Sequence, residues 1–336
     1  MSAPPPIVLL GSERSGSNLL RKLLGNHSQI AAPRPAHFYN YFSAHLHHYG
    51  PLKEQRNAAR LLEDLIACAN HSRSGWKLTV SFDEFASRFS TATFPDIVDG
   101  IHRAQAAGVG KASYFCKDND MARHALPILR HRPDTRLIYL HRDPRDTVSS
   151  WLRTPAFFHH AFEASHAWLG DQREVFTLRD AHGVEMHEIS YEALVSRTEE
   201  TMAAALRFIG LPPEPACFAT GSVADADTTR VALWQNLDKP VMSDNFGKFR
   251  EHLAPTQIEM IEAICKPFMP RLGYPLSTAA RWQFSTRGFK LRHWWEKRAF
   301  RNSHRGEIAE NTREVLDKNE FVRRLIKRRE KENLSA

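Results

Sequence analysis

The chain has 336 residues and is poor in cysteine. Its four cysteines, Cys68, Cys116, Cys217 and Cys265, lie far apart and form no CxxC pair. That spacing argues against a zinc site and a disulfide framework, and it suits a reducing compartment. Long apolar runs are lacking too. No stretch approaches the roughly 18 apolar residues of a membrane span. The run from Ile7 to Leu10 is too short for a signal-peptide core, and Met1 to Pro6 carries no basic residue. These absences lead to the expectation of a soluble, cytoplasmic protein. Acidic excess is also missing, since 38 Asp+Glu face 46 Lys+Arg for a net +8. Residues 281–336 hold 16 basic residues against 8 acidic, so the whole excess sits in the tail and the first 280 residues are balanced. With 42% hydrophobic and 25% charged residues, the bulk of the chain has the composition of a domain with a core.

Ile7-Val-Leu-Leu10 is a short continuous apolar run, the pattern of a strand buried on both faces. A Gly/Ser-rich loop follows, then leucines at 19, 20, 23 and 24 with helical spacing over 18–26. Pro33 and Pro35 interrupt the chain, and helical patterns dominate 38–107. Further strands are expected at Ser113–Cys116, Arg136–His141 and Val184–Ser190, with helices over 121–130, 199–209 and 255–269. Asp143-Pro144 opens a helix, with Asp as N-cap and Pro at the first helical position. Gly210-Leu-Pro212 closes one through a left-handed cap. Alternating strands and helices predict an α/β fold: a P-loop-like central parallel sheet flanked by helices, over residues 1–280. Residues 281–336 read as a basic, aromatic-rich helical extension.

Gly11-Ser-Glu-Arg-Ser-Gly16 has the Gly-x4-Gly spacing of a Walker-type phosphate loop, set between strand and helix as such a loop requires. Backbone N–H groups and the helix N-terminus there form an anion cradle. A nucleotide kinase or hydrolase next needs Lys for the terminal phosphates and Ser/Thr for Mg²⁺. Here Ser17 and Asn18 stand instead, and Arg14 supplies the positive charge. The pattern suits a donor with one strongly anionic end and no metal. The alternative is a phosphate-shaped turn without a ligand.

The stretch from Gly11 to Arg21 resembles the 5′-phosphosulfate loop of the sulfotransferase family. The family's second signature is an Arg followed eight positions later by a Ser. It is matched by Arg142 and Ser150 in His141-Arg-Asp-Pro-Arg-Asp-Thr-Val-Ser-Ser150, with Ser149 as the competing neighbour. The resemblance implies a fold of the expected kind and 3′-phosphoadenylyl sulfate (PAPS) as donor. It also implies donor contacts from Arg14, Ser15, Gly16, Ser17 and Asn18 at the 5′ end, and from Arg142 and Ser150 at the 3′-phosphate. For Arg142 the residues themselves leave a second reading open, a surface ion pair among Arg142, Asp143, Arg145 and Asp146. Tyr191-Glu192-Ala-Leu194 is similar to the family's Tyr-Glu-Asp-Leu and implies Tyr191 near the adenine; a tyrosine closing the strand end is the other reading. Gly247-Lys-Phe-Arg250 resembles the Gly-Lys-Trp-Arg loop of bacterial members. This implies Lys248 at the cofactor or substrate, against a solvated loop lysine.

Sulfuryl transfer needs cations where charge grows on the leaving oxygen and a base for the attacking hydroxyl. Arg14 is the first candidate cation. Lys117, ending a strand, is the second, and it resembles the Lys-Asp-Pro lysine of tyrosylprotein sulfotransferases with Asn119 in place of Pro. A salt bridge from Lys117 to Asp118 or Asp120 is the alternative. The Glu-Glu pair of those enzymes is absent. Ala31-Ala-Pro-Arg-Pro-Ala-His37 instead resembles the Pro-rich segment ending in His of bacterial sulfotransferases, which implies His37 as base. Glu13 reads as a structural hydrogen-bonding residue of the loop, and His27 as packed or capping.

In the tail, Trp282, Phe289, Trp294, Trp295 and Phe300 alternate with six Lys and Arg. Packing on the body is one reading, peripheral membrane or glycolipid contact a second, and nucleic acid the least favoured. Residues 321–330 read as a solvated basic helix. The expected function is transfer of a sulfuryl group to a hydroxyl-bearing acceptor: a glycan, lipid-linked or small molecule rather than peptide tyrosine. The alternatives are a P-loop kinase or nucleotide hydrolase with an aberrant loop, and a non-catalytic membrane- or nucleic-acid-binding module.

Overall fold

The computed structural model describes residues 4–154, 158, 160–219, 245–283 and 305–334. In chain order the described elements are β1 (Ile7–Leu10), α1 (Ser17–Gly25), β2 (Ile30–Ala31), α2 (Phe38–Phe42), α3 (Gln55–Asn70), α4 (Phe82–Arg88), α5 (Phe94–Gly108) and β3 (Ser113–Cys116). They continue with α6 (Ala125–His131), β4 (Arg136–His141), α7 (Pro144–Leu152), α8 (Ala161–His182), β5 (His187–Ser190), α9 (Tyr191–Ser196), α10 (Thr198–Ile209), α11 (Phe249–His252), α12 (Pro255–Cys265) and a C-terminal helix, Arg305–Leu334. The five strands form one sheet in the order β2-β3-β1-β4-β5, and every pairing is parallel.

The period-2 alternation of strand side chains divides the core in two. Ile7, Leu9, Phe115, Ile138, Leu140 and Ile189 face one side, where Leu20, Leu23 and Leu24 of α1 and Met202, Leu206 and Ile209 of α10 cover them. Val8, Leu10, Tyr114, Cys116, Leu137 and Tyr139 face the other, against residues from α3, α5, α8 and α12. Burial on both faces is why these strands read as unbroken apolar runs.

Three expectations need correction. The two-residue edge strand β2 carries too little pattern to be read from sequence. The strand expected from Val184 begins only at His187. Gly183 (φ 64) caps α8, and the Val184 amide bonds the Leu178 carbonyl, so these residues finish the helix before the sheet starts. The helix expected over 255–269 ends at Cys265, and a turn continues to Met269.

The last helix differs most from its sequence reading. Val322 and Ile326 are buried, as are Lys318 and Arg329, so this helix is docked rather than solvated. Arg329 donates to both oxygens of the fully buried Asp64 on α3, and Arg328 joins at 2.7 Å. The high basic content concealed a stripe at helical spacing. Of the aromatic tail only Trp282 is described, packed near Phe162; Phe289, Trp294, Trp295 and Phe300 lie outside the described residues. No helix among the described residues is long and apolar enough to cross a membrane.

Gly11 fixes how closely β1 and β4 approach at the site. Its φ is 130°, and a Cβ there would fall 2.1 Å from the Leu140 carbonyl oxygen. Gly11→Ala should cost about 3 kcal/mol or more of unfolding free energy. Gly170→Ala, in α8 with nothing within 4 Å, should gain about 0.5–1 kcal/mol. Urea unfolding of the two variants checks the contrast.

Candidate active site

β1 lies between β3 and β4, and the chain leaves it toward one side and returns on the other. The loops after these three strands therefore gather at the point where strand order reverses, the usual ligand crevice of an open parallel sheet.

In the first loop, Arg14 (φ 63) and Gly16 (φ 93) take left-handed conformations. Left-handed residues alternating with ordinary ones turn successive N–H groups into a concave anion seat. α1 begins beyond Gly16 with no side-chain cap and no acidic residue in its first turn, which leaves its positive end open. Ser15 is fully buried, and its hydroxyl has no partner among the described residues. Ser17 and Asn18 open the helix, as expected from their position. A Cβ on Gly16 would meet the Tyr191 ring at 2.4 Å, so glycine is required by contact as well as by φ.

Arg14 donates from Nε to Ser150 Oγ at 3.2 Å, across 136 residues. Arg142, just past β4, donates to the Arg14 carbonyl at 3.3 Å and to the Asn245 carbonyl at 3.0 Å, while its buried Nε has no partner among the described residues. Its guanidinium lies 4.2 Å from the centroid of the Tyr191 ring, whose hydroxyl accepts from Asn245 at 2.9 Å. The structure thus brings Arg14, Arg142, Ser150 and Tyr191 together. Ser150 rather than Ser149 reaches Arg14, because one step along α7 turns Ser149 into the interior with its hydroxyl unpartnered. Burial, together with the nearby Arg142, lowers the pKa of Arg14.

Neither guanidinium pairs with a carboxylate among the described residues, although several carboxylates lie close by. Asp143 and the buried Glu262 both bind Arg145, at 2.7 and 2.6 Å. This is the ion-pair cluster foreseen around Arg142, but Arg142 is not in it. Burial would raise the Glu262 pKa, yet bonds from Thr278 and Ser277 hold it down at about 2. Glu192 accepts from the Asp143 amide and from the Tyr274 hydroxyl. Asp146 accepts from the amides of Gly247 at 2.5 Å and Phe249 at 2.9 Å. That contact anchors the loop carrying Lys248, whose amine bonds to nothing among the described residues.

The end of β3 is a second hub. Asn119 donates to Glu13 at 2.5 Å, which fixes the phosphate loop and gives Glu13 the structural role expected of it. Asp118 accepts from the amides of His37 at 2.9 Å and Phe38 at 3.1 Å, pinning the start of α2. Lys117 forms no ion pair with Asp118 or Asp120. Its half-buried ammonium is unbonded among the described residues, and burial lowers its pKa. His37 sits in a left-handed turn (φ 61). Burial pushes its pKa down to about 4; Asp118 opposes this, while Lys318, Lys117 and Arg73 add to it. The ring is therefore neutral near pH 7.

Sequence reasoning missed Asp118, Asp146 and Asp171. The first two read as ordinary loop and helix acids, and only the fold shows which amides they meet. Asp171, on α8, borders a cleft with Gly11, Asp120, Arg123 and Glu174. Burial, with Asp120 and Glu13 nearby, raises its pKa to about 7 against a bond from Ser12.

A profile described as the Sulfotransferase family matches residues 5–215. Among solved structures, the sulfotransferase domain from the curacin biosynthetic pathway is 18% identical, with TM-score 0.54, over 82% of this chain and 100% of that one. The sulfotransferase domain from the Synechococcus PCC 7002 olefin synthase is 19% identical, with TM-score 0.57, over 82% of this chain and 97% of that one. No curated protein sequence matches.

The double role of Asp118 is testable. Asp118→Ala leaves two amides without their acceptor and should cost about 2–3 kcal/mol in denaturant unfolding. Asp118→Asn retains one acceptor oxygen and should cost roughly half as much.

Proposed function

The chain belongs to the sulfotransferase family, and on that footing we propose that it transfers a sulfuryl group from PAPS to a hydroxyl-bearing acceptor. One observation carries the reading. Arg14 and Arg142 are held side by side at the mouth of a glycine loop, with Ser150 beside them and, among the described residues, the neighbouring carboxylates engaged elsewhere. Such a seat suits a dianion, and the buried, unpartnered Ser15 hydroxyl and Arg142 Nε offer further donors to it. The residues present therefore fit a nucleotide with phosphate at two positions.

In this reading Ser15, Gly16, Ser17, Asn18 and Arg14 hold the 5′ end of the donor, Arg142 and Ser150 hold its 3′-phosphate, and Tyr191 lies against the base. Lys248 closes over the donor from the loop that Asp146 anchors. The donor supplies an activated sulfuryl group on a phosphate leaving group. Arg14 and Lys117 oppose the negative charge that gathers on the bridging oxygen as the S–O bond breaks. His37, neutral and held at a fixed turn, takes the acceptor's hydroxyl proton. The acceptor class favoured is a glycan, lipid-linked or small molecule, because the 31–37 segment has no carboxylate pair. No metal is assigned a role. A second reading for the base is favoured by one observation, the cleft-lining Asp171 carboxyl with its raised pKa.

Calorimetry with adenosine 3′,5′-bisphosphate tests the donor site. Arg142→Ala should weaken binding roughly 30-fold, about 2 kcal/mol; an unchanged affinity would sink the assignment. Sulfuryl transfer should survive EDTA, whereas Mg²⁺-dependent ATP turnover would favour the kinase alternative. The pH dependence of kcat/KM, which reports groups of the free enzyme, separates the bases. A base must be deprotonated, so His37, with a pKa of about 4, gives a flat profile between pH 5.5 and 8. Asp171 would instead give a rate that rises with pH through a midpoint at about 7 before it levels off.

A further inference from the structure

Lys318 belongs to the C-terminal helix, outside the family match, and is fully buried. A buried lysine normally pairs with a carboxylate, because an isolated charge in the interior is costly. Lys318 does not. Its ammonium donates to the Ala36 carbonyl at 3.0 Å and to the Ser74 hydroxyl at 2.5 Å, and lies 5.5 Å from the Tyr41 ring centroid. All three contacts surround the segment that leads into His37.

That segment is held along its whole length. Trp76 Nε1 donates to the Arg34 carbonyl at 2.7 Å, and the Ser74 hydroxyl donates to the Pro35 carbonyl at 2.9 Å. Lys318 takes the Ala36 carbonyl, and beyond it Asp118 takes the His37 and Phe38 amides. Three consecutive carbonyls and two consecutive amides are thus tied, and between them sits the left-handed His37, a conformation that a β-carbon disfavours by about 1–3 kcal/mol. Asn319, the next residue on the same helix, accepts from the Tyr41 hydroxyl at 2.8 Å, and the Tyr41 ring meets the His37 ring edge-on at 6.2 Å.

We propose that Lys318 is a positioning residue for His37, so that the C-terminal helix helps build the proton-accepting end of the site. It acts in two ways. Its hydrogen bonds fix the turn that aims the imidazole. Its charge, with those of Lys117 and Arg73, opposes a proton on His37, while Asp118 favours one. Burial lowers the pKa of Lys318 itself; of the groups that face it, Asp118 favours its charge, Arg73 and Arg34 oppose it, and Cys68, pushed up to about 12, is a neutral thiol. The catalytic meaning of this placement rests on the reading of His37 as base.

The test is Lys318→Met, which keeps the length and apolar stem but removes charge and donors, read by NMR titration of the His37 ring in the full-length protein. The His37 midpoint should rise by about one unit toward its ordinary 6.5, and kcat should fall about tenfold with the affinity for adenosine 3′,5′-bisphosphate unchanged. Val322→Ala, buried on the same helix, is the control. It should lower stability yet leave both the midpoint and kcat in place. An unchanged His37 midpoint in Lys318→Met overturns the proposal, as does a Val322→Ala variant that reproduces the shift. Should Lys318→Met not fold, Ser74→Ala removes one of the two Lys318 acceptors and is read against the same midpoint. His37→Ala separates the two claims: full kcat in that variant rejects His37 as base, whereas lost kcat with an unmoved midpoint in Lys318→Met rejects only the role of Lys318.

Discussion

Two guanidinium groups meet at one glycine loop with no carboxylate partner among the described residues, and much of the surrounding structure can be understood as what keeps them so. Each guanidinium opposes the charge of the other, as the lowered pKa of Arg14 shows, so an unoccupied carboxylate nearby would readily be drawn in. Five acidic residues stand close enough in sequence or space to serve. Each has other work: Asp143 and Glu262 on Arg145, Glu192 on an amide and Tyr274, Asp146 on two amides, Glu13 on Asn119. Arg145, which might look in sequence like a twin of Arg142, is the counter-ion that occupies two of these carboxylates. The site remains positive because its neighbours are satisfied among themselves.

Backbone strain follows the same geography. Among the described residues five non-glycines have positive φ, and three of them, Arg14, His37 and Asp120, lie in the segments around the strand ends at the crevice. Such conformations persist where the surroundings over-determine them. The surroundings here are specific: Arg142 on the Arg14 carbonyl, Asp118 on the His37 amide, and the Asp120 carboxylate receiving Asn40 at 2.9 Å. A pre-set loop does not have to be ordered by its ligand, and entropy otherwise spent on ordering remains available for binding.

These residues were unequally legible in sequence. β1, β3 and β4 could be read with their boundaries because burial on both faces leaves an unbroken apolar run. β2 could not, being two residues long. Arg14, Arg142, Ser150 and Tyr191 were named from three motifs and do meet, since loops after adjacent parallel strands must end at one edge. Asp118 and Asp146 were read only as ion-pair partners of nearby cations, because an Asp that accepts amides from a segment 80 or 100 residues away looks no different in sequence from one at the surface. Lys318 was hidden for a related reason. In a helix dense with Lys and Arg, composition predicts solvent, and only the apolar partners at Val322 and Ile326 show which side is inside.

A boundary drawn by charge near residue 281 therefore does not divide structure from appendage. The family match ends at residue 215, yet Phe249, Glu262 and Tyr274 hold Asp146, Arg145 and Glu192 from beyond it. Farther still, the C-terminal helix covers α3 with Val322 and Ile326 and satisfies the buried Asp64 through Arg329. Removing that helix would uncover apolar surface, strand a buried carboxylate at a cost of about 3–5 kcal/mol, and release the Ala36 carbonyl beside His37. Loss of activity on such a truncation would thus say nothing about a surface-binding role for the tail. Substitutions confined to the solvent-facing Arg323 and Arg324 leave the docked side intact, and they are the changes that can separate binding by the tail from support of the core.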